Sequence, residues 1–200
     1  MKYFAQLKAA LFLASLIPLI RLGWYGYSSQ LGANPIEYIT RSLGTWTLVF
    51  LLITLSITPL RSLSGWSWLI KLRRMAGLFA FFYALLHFIT YIWLDQFFSL
   101  HDMYKDVIKR PFITIGFTAF IMMIPLAVTS TDKMIKRLGG KRWLLLHRLI
   151  YPVAIFAVLH YWWLVKKDIT QPLIYAAVLA ALLAYRIVAR GLKTKLSNLI

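Results

Sequence analysis

Six apolar runs of 17 to 23 residues, separated by short charged connections, take up most of this 200-residue chain. They are Lys8–Trp24, Leu43–Leu60, Met75–Leu94, Phe112–Val128, Trp143–Val165 and Pro172–Ala189. A helix needs roughly 20 such residues to cross the hydrocarbon core of a bilayer. Only helices and closed barrels satisfy their own backbone there. The pattern predicts an all-α, polytopic bundle of six transmembrane helices, with residues 1–200 forming one domain. Hydrophobic residues make up 60% of the chain and charged residues only 14%, whereas a soluble domain carries about a quarter charged residues. The first run lacks a small-residue cleavage site and is expected to persist as a helix. Pro59, Pro111 and Pro172 are expected at span margins, with Pro18, Pro125 and Pro152 inside spans, where they can kink them.

The chain carries 23 Lys and Arg against 6 Asp and Glu, a net charge of +17. Because the basic residues sit mainly in short loops, membrane topology accounts for them better than nucleic acid does. One side of the predicted bundle holds Lys2, Lys8, Arg61, Lys71, Arg73, Arg74, Lys133, Lys136, Arg137, Lys141, Arg142, Arg186, Arg190, Lys193 and Lys195. The other holds Arg21, Arg41, Lys105, Lys109, Arg110, Lys166 and Lys167. Fifteen against seven predicts that both termini face the cytoplasm. The chain has no cysteine, which excludes disulfides and cysteine-ligated iron–sulfur clusters.

Three of the four histidines fall within spans: His87 in the third, His147 and His160 in the fifth. An imidazole in hydrocarbon needs a partner, and ionisable residues at that depth are candidates for function. For each one alone, an interhelical hydrogen bond is the competing reading. No acid lies well inside a span, so a mid-membrane proton relay or cation path is poorly supported. Neutral imidazoles in an aromatic-rich bundle suit a flat, apolar macrocycle whose iron takes axial nitrogens. At about 1.5 Å per residue, His87 lies roughly 18 Å and His160 roughly 25 Å into their spans, against roughly 6 Å for His147. That pairs His87 with His160. His147 and His160 stand roughly 140° apart on a regular helix and share no face unless Pro152 disturbs it. His101 reads as a solvated loop residue, and no metal cluster is expected around it.

The stretches RRMAGLFAFFYALLHFITY (Arg73–Tyr91) and WLLLHRLIYPVAIFAVLHYW (Trp143–Trp162) together resemble the ferric-reductase-like transmembrane family. LLITLSITPL at Leu51–Leu60, KRPFITIGF at Lys109–Phe117, LAVTST at Leu126–Thr131 and QPLIYA at Gln171–Ala176 extend the resemblance over nearly the whole chain. The resemblance implies a multi-pass subunit of the bacterial inner membrane that binds haem b, with FMN as a second cofactor. It implies an electron-transfer subunit rather than the catalytic one. Its acceptor would be a periplasmic molybdenum methionine-sulfoxide reductase of the MsrP type, which repairs oxidised proteins. Its donor would be the quinone pool or a cytosolic flavin reductase. His87, His147 and His160 match the family's histidine positions, with His87 and His160 as the expected axial pair on the iron. Oxidases of the family carry a second histidine fourteen residues before the one matching His87, where this chain has Arg73. Arg73, Arg74 and Arg148 are candidate contacts for a haem propionate or a flavin phosphate, against plain basic anchoring. Two alternatives stay open: a ferric or quinone-linked reductase with another acceptor, and a transporter or assembly protein with no redox cofactor.

Overall fold

The computed structural model of the chain describes residues 3–165 and 167–197. Lys2 and Lys166, and the side chains of Arg190, Lys193 and Lys195, all counted above, lie outside the described residues. The described residues form nine α-helices and no strand. They are α1 (Phe4–Tyr27), α2 (Pro35–Ser64), α3 (Arg73–Thr90), α4 (Leu100–Lys109), α5 (Pro111–Val128), α6 (Asp132–Leu138), α7 (Gly140–Leu146), α8 (Ile150–Leu164) and α9 (Thr170–Ser197). Six stretches are long and apolar enough to cross a membrane: Phe4–Tyr27, Pro35–Ser64, Ser67–Asp95, Pro111–Val128, Gly140–Leu164 and Thr170–Ala189.

The second span is much longer than its apolar run, because its ends are set by caps rather than by hydropathy. The Asn34 side chain accepts the Glu37 backbone N–H at 3.2 Å, and Pro35 fills the first helical position, where no donor is needed. At the other end Pro59 does not mark the margin expected of it. The helix runs on to Ser64 and stops at Gly65, whose φ of 72° is the left-handed conformation glycine adopts without strain. Pro111 does open α5, and Pro18, Pro125 and Pro152 lie within helices. The third span enters through a 3-10 turn, Ser67–Leu72, and leaves through a π turn, Tyr91–Asp95.

α2 packs along α3, and α5 along α8; the two pairs touch through α3 with α5 and α2 with α8. α1 contacts α2, and α9 lies against α8 and α2. In lipid there is little hydrophobic gain in bringing helices together, so close packing has to hold them. Ala76, Ala80 and Ala84 recur every fourth residue of α3 and are all buried, which lets α2 approach closely. Around them Phe50 stacks on Phe79 and Tyr83 at 5.5 and 5.4 Å. Each such aromatic pair contributes about 0.5–1.5 kcal/mol beyond its area. Tyr83 is fully buried and its hydroxyl donates to the Ser15 carbonyl at 2.7 Å, which fixes α1 to the bundle. Large apolar side chains such as Ile20, Leu173 and Ile187 are exposed around the outside, as a lipid-facing surface requires.

Candidate functional site

The helix pairs bring His87 of α3 and His160 of α8 face to face, near the end of the bundle where α4 lies. Their ring centroids are 6.2 Å apart and the planes cross at 75°. His87 Nδ1 donates to the Thr40 carbonyl at 2.8 Å, and His160 Nδ1 to the Phe112 carbonyl at 2.7 Å. A carbonyl can only accept, so both Nδ1 atoms carry the proton and each Nε2 keeps its lone pair. That is the tautomer a metal-ligating histidine adopts when its other nitrogen is tied to an outer-shell acceptor.

The spacing has a chemical meaning. Two imidazoles on opposite sides of one metal ion need two metal–nitrogen bonds of about 2.0–2.1 Å and two ring radii of about 1.1 Å, together about 6.3 Å. The observed pair fits a six-coordinate haem iron in spacing and in donor type. One aromatic ring lies against the pair, Phe112 at 6.2 Å from His160, while Phe88, next to His87 in sequence, packs on Phe117 and Phe120. Beside it an open apolar cleft of about 230 Å³ is lined by Pro111, Phe112 and Trp163.

His147 stands apart, at the opposite end of the bundle. The helix irregularity anticipated near Pro152 is present as a 3-10 turn, His147–Leu149, between α7 and α8. Pro152 has no N–H for the carbonyl of Arg148 and crowds it, which accounts for the turn at this point. His147 Nε2 lies 3.0 Å from Thr129 Oγ1, and that hydroxyl donates its own proton to the Pro125 carbonyl at 2.6 Å. The histidine is therefore the donor, and its lone pair sits on Nδ1, the reverse of the other two. Trp143 stacks on the ring at 3.9 Å and donates from Nε1 to the Thr129 carbonyl at 2.9 Å. Thr129→Val removes the acceptor and leaves the His147 N–H unpartnered. We expect it to lower unfolding free energy in detergent by about 1–3 kcal/mol, read from denaturation curves.

The three candidate arginines line a single cavity of about 380 Å³ at this end, together with His147 and Arg186. Among the described residues no acidic side chain lines it. Arg186, taken from sequence only as a topological charge, enters from α9. It donates to Tyr151 Oη at 3.1 Å and to the Leu55 carbonyl, while its Nε is buried without a partner. Thr58 Oγ1, on the same lining, is also buried and unpartnered. Arg74 is engaged elsewhere: its Nη2 donates to Asp132 at 2.5 Å and holds that carboxyl below the usual carboxylate range. His101 is exposed on α4, and the described residues include no group of three or more His, Cys, Asp and Glu side chains that could hold a metal ion.

Sequence reasoning missed Thr40, Gly44, Phe112 and Gly116 around the histidine pair, and Thr129, Trp143 and Arg186 around the cavity. Glycines inside otherwise apolar spans were the available signal for the first group, since an interior glycine weakens a helix and marks a close approach.

The sequence model of the ferric reductase like transmembrane component matches residues 40–158, which contain His87 and His147 and end two residues before His160. Three curated relatives bear the name "Protein-methionine-sulfoxide reductase heme-binding subunit MsrQ". The relative from Herminiimonas arsenicoxydans is 59% identical over 90% of this chain and 84% of its own length. Those from Azospira oryzae and Xanthomonas campestris pv. campestris are 55% and 48% identical, over 93% and 90% of this chain and 80% and 85% of their own lengths. The chain belongs to the ferric-reductase-like transmembrane family and, within it, to the MsrQ group.

Proposed function

We propose that this chain is a haem-binding electron-transfer subunit of a methionine-sulfoxide reductase system in the bacterial inner membrane. The observation that carries the reading is the pair His87 and His160, 6.2 Å apart, each with Nδ1 donating to a carbonyl and Nε2 free to ligate. When bound, a haem b supplies one-electron chemistry there. The chain's own residues would hold it through one ring nitrogen each of His87 and His160, whose tautomer the Thr40 and Phe112 carbonyls fix. Basic residues favour a topology with both termini in the cytoplasm, which puts the histidine pair in the outer half of the membrane.

The basic cavity then opens towards the cytoplasm. Arg73, Arg148 and Arg186 would hold the phosphate of FMN, with Arg74 a lesser contributor while it is paired to Asp132. Electrons would enter on this side from the quinone pool or a flavin reductase. They would leave on the outer side to a periplasmic molybdenum enzyme of the MsrP type.

The test begins with protein purified in mild detergent. Its visible spectrum, oxidised and dithionite-reduced, should be that of a b-type haem, quantified as the pyridine haemochrome. Coexpression with an MsrP-type partner should then support methionine-sulfoxide reduction in the periplasm. Protein that stays colourless after haem supplementation would overturn the reading. A coloured protein with no coupling to the partner would leave the haem site standing and redirect the acceptor.

A further inference from the structure

We infer that Gly44 and Gly116 are positioning residues that seat the two histidine rings on their carbonyl acceptors. The inference rests on the reading of His87 and His160 as ligands. Each histidine meets the same two-residue arrangement on the neighbouring helix. His87 donates to the Thr40 carbonyl and lies over Gly44; His160 donates to the Phe112 carbonyl and lies over Gly116. Both seats are therefore carbonyl i and glycine i+4, on α2 and α5 respectively.

Helix geometry explains why the spacing is four. In a helix the carbonyl of residue i already accepts the N–H of residue i+4 and has one lone pair left. The Cα–Cβ bond of residue i+4 tilts back towards the N-terminus, so its side chain covers the turn where that carbonyl lies. With glycine at i+4 the second lone pair is open to a ring arriving from another helix. Any other residue narrows the approach.

The contacts are tight enough to rank the two positions. A Cβ built on Gly116 would lie 2.7 Å from His160 Nδ1 and 2.9 Å from Cε1, on the bonding edge of a rigid ring. One built on Gly44 would lie 3.1 Å from His87 Cε1 and 3.2 Å from Nδ1. Gly77 of α3 is a contrasting case: its nearest neighbour would be the Thr54 methyl at 3.7 Å, an ordinary contact. At Gly116 the ring has to leave its carbonyl; at Gly44 a few tenths of an ångström suffice.

Loss of the Nδ1–H to carbonyl bond has an electronic consequence that mere packing damage lacks. The bond makes the imidazole a stronger donor and so favours the oxidised iron. Loosening it should raise the midpoint potential.

Gly116→Ala, Gly44→Ala and Gly77→Ala are to be purified alongside wild type, His87→Ala and His160→Ala. Helicity and gel filtration give fold; pyridine haemochrome, redox titration and low-spin electron paramagnetic resonance give the site. We expect Gly116→Ala to lose haem about tenfold or more. Gly44→Ala should keep most of its haem, with a raised potential and shifted resonance, and Gly77→Ala should match wild type. If Gly116→Ala does not fold, the Gly44→Ala potential decides. Wild-type haem content and potential in both Gly116→Ala and Gly44→Ala, with haem lost in the histidine variants, would overturn the seat alone. Wild-type haem in His87→Ala and His160→Ala would overturn the reading on which the seat rests.

Discussion

Alanine at either His87 or His160 is expected to cut the haem content of purified protein at least about tenfold, whereas alanine at His147 leaves most of it in place. On the proposed reading each of the first two would supply one nitrogen to a single iron, for which their 6.2 Å ring spacing is suited. Among the described residues no group of three or more His, Cys, Asp and Glu side chains could hold a metal ion in their place. His147 lies at the other end of the bundle with its Nε2–H already given to Thr129 and its face covered by Trp143. The measurement is the pyridine haemochrome per mole of protein, with helicity as the control for folding. Equal haem loss in all three variants would show that His147 also ligates, in an arrangement other than the one described. Full retention in His87→Ala would remove the axial pair from consideration.

Much of this was legible in the sequence because a membrane filters residue types so strongly. Polar side chains are costly enough in hydrocarbon that three histidines stand out, and a fixed rise per residue places His87 and His160 at similar depth. The seats were not legible for a physical reason. Their acceptors are backbone carbonyls, which every residue has, so nothing in the identity of Thr40 or Phe112 announces the bond. Gly44 and Gly116 carry the only trace, and it becomes readable only once two helices are known to face each other. Helix ends failed differently. Hydropathy finds the apolar stretch, but Asn34 and Gly65 end α2 well outside it, and the chain passes Pro59 without stopping. Arg186 was counted as a surface charge because it lies near the end of its apolar run, while the turn of α9 directs it against Tyr151 and the Leu55 carbonyl.

That reassignment of Arg186 leads to the second large effect. On the proposal that FMN occupies the basic cavity, Arg186→Met is expected to lower bound flavin about 10- to 100-fold while sparing the haem, and Arg74→Ala is expected to change flavin content little. The two cations line the same cavity but differ in how far they are already satisfied. Arg186 is half-buried and lines the cavity with no acidic partner among the described residues, so an anion there would meet a partly desolvated guanidinium. A charge-assisted bond of that kind contributes about 1.5–3 kcal/mol, and about 1.4 kcal/mol is a factor of ten in affinity. Arg74 already donates to Asp132 at an exposed position, where a cation is well solvated and such pairs are worth little. The difference has a pH signature. Because Arg74 holds the Asp132 carboxyl below the usual carboxylate range, the pair persists at neutral pH. As the pH falls through the lowered value the carboxyl takes up a proton and the ion pair is lost. Flavin released by acid and quantified by fluorescence, across Arg186→Met, Arg73→Met and Arg74→Ala, separates these cases with the haem band as internal standard. Equal flavin in the Arg186 and Arg74 variants would place the phosphate elsewhere. Wild-type protein free of flavin would leave the cavity to another anion, and the ranking of the arginines would then be repeated with that ligand.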